Sequence, residues 1–216
     1  MSGRRGLVFV IAAPSGTGKT TVCRAVVTRD PCIVFSVSHT TRPRRAGERD
    51  GVDYHFVSED RFQQMIDAGD FLEHARYSGH RYGTSWAAIE KPLETGRDVL
   101  LEIETEGARQ VRERRPDAHL IFLLPPSLAE LESRLQGRKT DDSAEVARRL
   151  AIARGEFGAA RLFGAFVVNE RVDDAVAAVL EIVDTARRGE RSAEGRYGLP
   201  SARAKLDPAL RAWLPS

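Results

Sequence analysis

Residues 7–20 read Leu7-Val8-Phe9-Val10-Ile11-Ala12-Ala13-Pro14-Ser15-Gly16-Thr17-Gly18-Lys19-Thr20, and the fold follows from how that run divides. Its first six residues are apolar without alternation, the pattern of a strand buried on both faces of a parallel sheet. A turn with two glycines comes next, and then a helical stretch from about Lys19 to Arg29 that stops at Asp30-Pro31. Strand, glycine turn and helix in that order are the context a phosphate-binding loop requires. Gly16 and Gly18 let the backbone wrap with its N–H groups pointing inward, an anion nest at a helix N-terminus. Lys19 adds a mobile positive charge for β- and γ-phosphates, and the Thr20 hydroxyl is placed to ligate Mg2+. The strict pattern has Gly where this chain has Ala13, a residue that fits there at negative φ. The run therefore marks a nucleoside triphosphate site, without saying which nucleotide.

Three further runs have the same buried character: Asp98 to Ile103, His119 to Leu124 and Ala165 to Val168. Each precedes a stretch with helical periodicity, near 106–115, 127–137 and 172–188. Alternating buried strands and helices imply βαβ units, hence an α/β fold with a parallel sheet covered on both faces. Residues 37–93 break the rhythm. They are rich in Thr, Arg, Gly, Tyr and His, with short alternating pieces such as Tyr54-His55-Phe56-Val57 and one helix near 59–68, and read as an α+β insertion. A second break, Gly137 to Asp142, is a polar link into a long helix from Ser143 to about Arg161. From Gly189 to Ser216 the chain shows little periodicity and Trp213 as its one large apolar anchor, so a loosely docked or disordered tail is expected.

Composition narrows the class. The 216 residues are 42% hydrophobic and 30% charged, as in a soluble globular protein with one full core. The net charge of +2 is too small for a chain that binds polyanions over its whole surface. No apolar run approaches the roughly 18 residues of a membrane helix, and the N-terminal apolar run is too short for a signal peptide. A cytoplasmic protein is expected, without nucleic-acid or membrane partners. Cys23 and Cys32 have no metal or disulfide spacing and read as small core residues. The five histidines, at 39, 55, 74, 80 and 119, are scattered.

The insertion opens Ser36-Val37-Ser38-His39-Thr40-Thr41-Arg42-Pro43-Arg44-Arg45-Ala46-Gly47-Glu48 and continues Gly51-Val52-Asp53-Tyr54-His55-Phe56. Arginines and hydroxyls on a Gly/Pro loop beyond a core strand are chemistry for gripping a second phosphate through planar, bidentate donors. A nucleic-acid patch is the rival reading, disfavoured by the few aromatics and the small net charge.

With these pieces in order, the chain resembles the guanylate kinase family. The matching stretches are APSGTGKT, SVSHTTRPRRAGE with DGVDYHF, FLEHARYSGHRYGTS, and LPPSLAELESRLQGRKT with ARRLA, spread over about residues 7–188. The resemblance implies a phosphate-loop NTPase core at 5–36, 94–136 and 161–188. It implies a GMP-binding insertion at 37–93 and a helical lid at 137–160. The implied reaction is ATP + GMP ⇌ ADP + GDP with Mg2+, and dGMP as a second acceptor.

Carried over by position, Ala13 to Thr20 and Asn169 would bind ATP, with Thr20 on the metal. Arg42, Arg45, Tyr54 and Tyr82 would hold the GMP phosphate. Ser38, Glu73 and Thr84 would read guanine. Lys19 and Arg42, with the lid arginines Arg134, Arg138 and Arg149, would neutralise the transferring phosphoryl group. A carboxylate at 73 also makes chemical sense by itself, because guanine presents two adjacent donors that adenine lacks. The chain departs from the family at Glu102-Ile103-Glu104-Thr105-Glu106-Gly107, where Glu104 stands for an Asp that contacts guanine or organises the Mg2+ waters. Pro43 is shifted by one, which makes Arg44 an extra phosphate candidate. Two other functions stay open from sequence: an inactive interaction module of the same family, and a sugar-phosphate kinase. Phe71 and Trp86 read as core of the insertion, and the basic run Arg112 to Arg115 as a solvated helix end.

Overall fold

The computed structural model describes residues 4–77, 79–136, 143–190 and 195–215. From the N-terminus, β1 (Val8–Ala12) leads through the glycine turn into α1 (Lys19–Arg29), and β2 (Ile33–Phe35) follows. Then come β3 (His39–Thr40), β4 (His55–Phe56), α2 (Glu59–Asp67), β5 (Phe71–Tyr77), β6 (His80–Ser85) and α3 (Trp86–Glu94). The chain returns with β7 (Asp98–Glu102), α4 (Thr105–Arg114), β8 (His119–Leu124) and α5 (Leu128–Gln136). Next are α6 (Ser143–Phe157), a 3-10 turn (Gly158–Leu162), β9 (Ala165–Val168) and α7 (Val172–Arg187). Two short helices, α8 (Leu199–Lys205) and α9 (Pro208–Arg211), close the chain.

The main sheet is parallel, in the order β2-β7-β1-β8-β9. Successive side chains of β1 point to opposite faces. Val8, Val10 and Ala12 join Ile89 and Leu93 of α3 and Val111 of α4 on one side. Phe9, Ile11 and Ala13 join Val22 and Val26 of α1 and Val176 and Val179 of α7 on the other. Burial on both faces explains why β1 carries no polar residue. A ligand site is expected beyond the carboxyl ends of such strands, where the phosphate loop lies. At the opposite end, the fully buried Asp98 accepts hydrogen bonds from Arg4, the Leu7 backbone and Arg187, which ties β7 to the N-terminus and α7.

The second sheet runs β4-β3-β6-β5, with β3 antiparallel to β6 and β6 antiparallel to β5. Serine caps fix its helices: Ser58 accepts from the Arg61 N–H at the start of α2, and Ser85 from the Ala88 N–H at the start of α3. Phe62, Met65 and Phe71 form a small core between α2 and the sheet.

Four readings of the sequence are corrected here. The C-terminal segment is not loosely docked: Ala202, Leu206, Leu210 and Leu214 are buried in the main core, and Trp213 meets Phe157 edge-on at 5.4 Å. Asp207 also accepts the Leu128 N–H at the start of α5, at 2.7 Å. Apolar residues at 206, 210 and 214 recur at a spacing of four, enough to bury one stripe although the helices are short. The run Arg112 to Arg115 is more than a solvated helix end, although Glu113 and Arg114 are exposed. Arg112 donates to the Leu162 carbonyl, Arg114 to the carbonyls of Phe71 and Leu72, and Arg115 to Glu90. These arginines lie where α4 faces neighbouring elements, and each satisfies acceptors that the packing leaves open. Cys32 is exposed, because the Pro31 turn lifts it off the core, while Cys23 is buried as expected. Trp86 leans on the main core rather than on that of the insertion.

Candidate active site

The phosphate loop is built as its sequence dictates. Gly16 and Gly18 have φ of 87° and 89°, a conformation that residues with a Cβ rarely adopt. A Cβ on Gly18 would also lie 2.8 Å from Asn169 Nδ2. α1 starts at once on Gly18, which aims its first N–H groups into the loop. The Lys19 ammonium reaches across the carboxyl end of β7 and donates to the Ile103 carbonyl at 2.8 Å and to Glu104 Oε1 at 2.9 Å. Burial opposes its charge, but Glu104 and Glu102 more than compensate, so its pKa stays above the usual lysine value. The Thr20 hydroxyl donates to Glu102 Oε1. Thr20 and the carboxylates Glu102 and Glu104 form a hard-oxygen set of the kind Mg2+ favours beside phosphates. Among the described residues, no three His, Cys, Asp or Glu side chains converge as a metal cage.

Side chains from the far half of the chain close over this loop. Arg134 of α5 donates to the carbonyls of Thr17 and Asn169 at 3.2 and 3.1 Å, steered by Glu130 at 2.8 Å. Asn169, just after β9, donates Nδ2 to the Thr17 carbonyl at 2.7 Å; its buried Oδ1 has no partner among the described residues. Arg149 of α6 donates to Ser15 Oγ at 3.1 Å. Arg138 falls outside the described residues.

The small sheet carries a second group of predicted residues. Cross-strand pairing sets Glu73 of β5 directly opposite Thr84 of β6, and the Ser38 hydroxyl lies 3.3 Å from that of Thr84. Glu73 is only 4% exposed. Burial pushes its carboxyl up to about 7, although hydrogen bonds from Thr84 and the charges of Arg114 and Lys19 work the other way. Arg42 is held at Nη2 by Glu48 Oε1 at 2.7 Å, and its guanidinium lies 5.5 Å from the centre of the Tyr54 ring. Tyr82 meets Tyr54 edge-on at 6.0 Å. Arg45 is exposed, and its backbone N–H donates to Glu48 Oε2 at 2.7 Å.

Three residues here escape a reading of the sequence. Glu48 binds Arg42 and the Arg45 backbone together, and so sets the shape of the arginine loop. Gln110 of α4 bonds both backbone groups of His74, beside Glu73. Glu156, near the end of α6, faces the Ser15 N–H and is hydrogen-bonded to Glu104. Burial and the charge of Glu104 push its carboxyl up to about 7. Glu48 lay inside a recognised motif; the other two had no local signal.

The site thus has an anion nest with a buried lysine on the main sheet and a buried carboxylate with two hydroxyls on the small sheet. Basic and phenolic groups flank the second cluster. A guanylate kinase family model matches residues 5–186. The guanylate kinase of Alkalilimnicola ehrlichii is 48% identical over 183 residues, 85% of this chain and 90% of that protein. That of Thermus thermophilus is 48% identical over 211 residues, 98% of this chain and 90% of that protein. The crystal structure of guanylate kinase from Anaplasma phagocytophilum superposes with a TM-score of 0.65 at 28% identity, covering 86% of this chain and 88% of that one.

Proposed function

The chain belongs to the guanylate kinase family, and from that premise we propose that it transfers the γ-phosphoryl group of ATP to GMP or dGMP in the cytoplasm. The observation that carries this reading is Glu73. A buried carboxylate beside two hydroxyls suits the N1–H and N2–H2 donors on one edge of guanine. A sugar phosphate has no such edge. An interaction module would have no use for an intact nest with Gly16, Gly18, Lys19 and Thr20.

In this reading residues 37–93 hold GMP and residues 137–160 form the lid. Arg42, Arg45, Tyr54 and Tyr82 grip the GMP phosphate, with Arg44 at hand. Lys19 and the loop N–H groups take the ATP phosphates. The unpaired Oδ1 of Asn169 suits an amino donor such as that of adenine. Mg2+ fits beside Thr20, with Glu102 and Glu104 near, and when bound it would offset phosphate charge. The acceptor is already anionic at neutral pH, so no general base is needed. An oxygen of GMP forms its bond to the γ-phosphorus while the bond to the bridging oxygen of ADP breaks. The protein supplies alignment and positive charge for that step. Lys19 and the guanidinium groups of Arg42, Arg134, Arg138 and Arg149 provide the charge, and closure over both substrates keeps water away.

A coupled assay of ADP release with GMP, dGMP, AMP, UMP, CMP or no acceptor tests this. Turnover confined to GMP and dGMP is expected. Equal turnover with other monophosphates, or none with any, refutes it.

A further inference from the structure

α6 presents two side chains of opposite charge to the phosphate loop, and only Arg149 belongs to the phosphate-gripping set. Arg149 and Glu156 are seven residues apart, about two helical turns, and therefore share a face. Arg149 Nη2 meets Ser15 Oγ at 3.1 Å, and Glu156 Oε2 lies 3.4 Å from the Ser15 backbone nitrogen. Glu104, against which Glu156 rests, holds Lys19 at 2.9 Å. Two carboxylates thus occupy donors that a polyphosphate needs, a loop N–H and the lysine.

We propose that Glu156 sets the affinity of the donor site, its carboxylate standing in for a phosphate oxygen at the Ser15 N–H and leaving when a polyphosphate enters. The inference rests on the reading of the loop as the ATP site. A carboxylate and a phosphate oxygen are both anionic acceptors and compete for the same donor. Of the two carboxyl groups Glu156 has the weaker hold on a donor, one long contact at the Ser15 N–H, while its other contact is the acidic Glu104. Incoming phosphate charge repels it further. Arg149 rides the same helix and is drawn toward that same charge. Filling the loop therefore exchanges the anion of α6 for its cation, which couples donor occupancy to the position of that helix.

Competition of this kind leaves a signature. Every loop ligand binds only the fraction of molecules whose loop is free, so each affinity is lowered by one common factor. Simple repulsion by a nearby charge would instead grow with the charge of the ligand. Calorimetric titration of the full chain with ADP, ATP and inorganic tripolyphosphate, each with Mg2+, separates the two. For Glu156→Gln and Glu156→Ala we expect all three ligands to bind tighter by the same factor, about fivefold, with melting temperatures confirming the fold. Unchanged or weaker binding, or a gain graded by ligand charge, in whichever variant is folded would overturn the proposal. Absence of nucleotide binding by the unmodified chain would instead overturn the reading of the loop itself.

Discussion

The carboxamide of Gln110 pairs with the backbone of His74 in both directions, accepting from its N–H at 3.1 Å and donating to its carbonyl at 2.8 Å. A helix of the main core thereby acts as a strand neighbour to β5, one residue from Glu73. Glu73 is thus held from the core as well as from its own sheet.

Gln110→Leu keeps the volume and removes both bonds to His74 together with a third to Glu106. The freed backbone groups of His74 draw β5 away from α4. The KM for GMP should rise about tenfold, consistent with one to two net hydrogen bonds. The KM for ATP should stay within about twofold, since the hydrogen bonds of Gln110 go to His74 and Glu106. Steady-state kinetics with each substrate varied in turn checks this; parallel changes in both constants would refute it.

Glu73 gives a pH dependence with a definite sign. Guanine offers donors, so the ionised carboxylate is the binding form, and burial has pushed that group up to about 7. Below pH 7 the free protein takes up a proton there, and kcat/KM for GMP should fall about tenfold per pH unit. Stability runs the opposite way. Between the ordinary carboxylate range and 7 the folded state binds more protons than the unfolded one, so stability is lost as pH rises through that window and stays lost above it. Glu73→Gln should therefore melt higher than the unmodified chain at pH 8, by an equivalent of about 2–3 kcal/mol. That advantage should shrink toward pH 4.5, while GMP turnover is lost throughout.

Gly107 is required by the same carboxylate. A Cβ on this residue of α4 would stand 2.6 Å from Glu73 Oε2 and 3.2 Å from Ile103 Cδ1. Its backbone is helical, so Ala suits the chain locally and even favours the helix. The sharper conflict is with the side chain of Glu73, and the Ile103 methyl needs to give by only a few tenths of an ångström. Gly107→Ala is expected to raise the KM for GMP about tenfold or more and to leave thermal stability close to unchanged. A variant with unaltered GMP kinetics would show that Glu73 has room to yield.

Lys19 separates function from stability in another way. Its ammonium neutralises Glu104, which is 38% exposed and can be rehydrated when the lysine is gone. Lys19→Ala should keep its fold, as read by circular dichroism, and lose turnover by about a hundredfold or more. Near-normal turnover would remove Lys19 from the reacting group.

These residues also mark how far the sequence is legible. Gly16, Gly18 and Lys19 act through a turn whose geometry is encoded within a few neighbouring positions, so strand, loop and helix could be read together. The buried strands announce themselves because burial on both faces keeps β1 free of polar residues and β8 apolar after His119. Gln110 and Glu156 act on backbone groups 36 and 141 residues away. Nothing near either residue indicates the partner, because the main fold alone brings them together. Arg112, Arg114 and Arg115 mislead for the same reason. A charged helix end looks solvated until the carbonyls it satisfies are placed against it.

The C-terminal helices yield the last prediction, and their contacts give it a location as well as a magnitude. Leu210 is fully buried with Leu206 and Leu214 in the core cluster that lines one face of β1, and Trp213 packs edge-on against Phe157 of α6. The Asp207 carboxylate caps α5 at Leu128, and α5 carries Arg134 over the phosphate loop. Leu210→Ala should destabilise the protein by about 2–4 kcal/mol through a cavity in the main core. Asp207→Ala removes little apolar surface but leaves two N–H groups without their acceptor, the first of α5 and that of Leu210 in α9, at about 1 kcal/mol for each cap. The two variants should therefore differ in kind. The first lowers the melting temperature more, with kinetic constants near normal while folded. The second costs less stability and raises the KM for ATP, because Arg134 is less firmly placed. Equal effects of both on melting and on ATP would mean that the tail supports the fold as a whole and not α5 in particular.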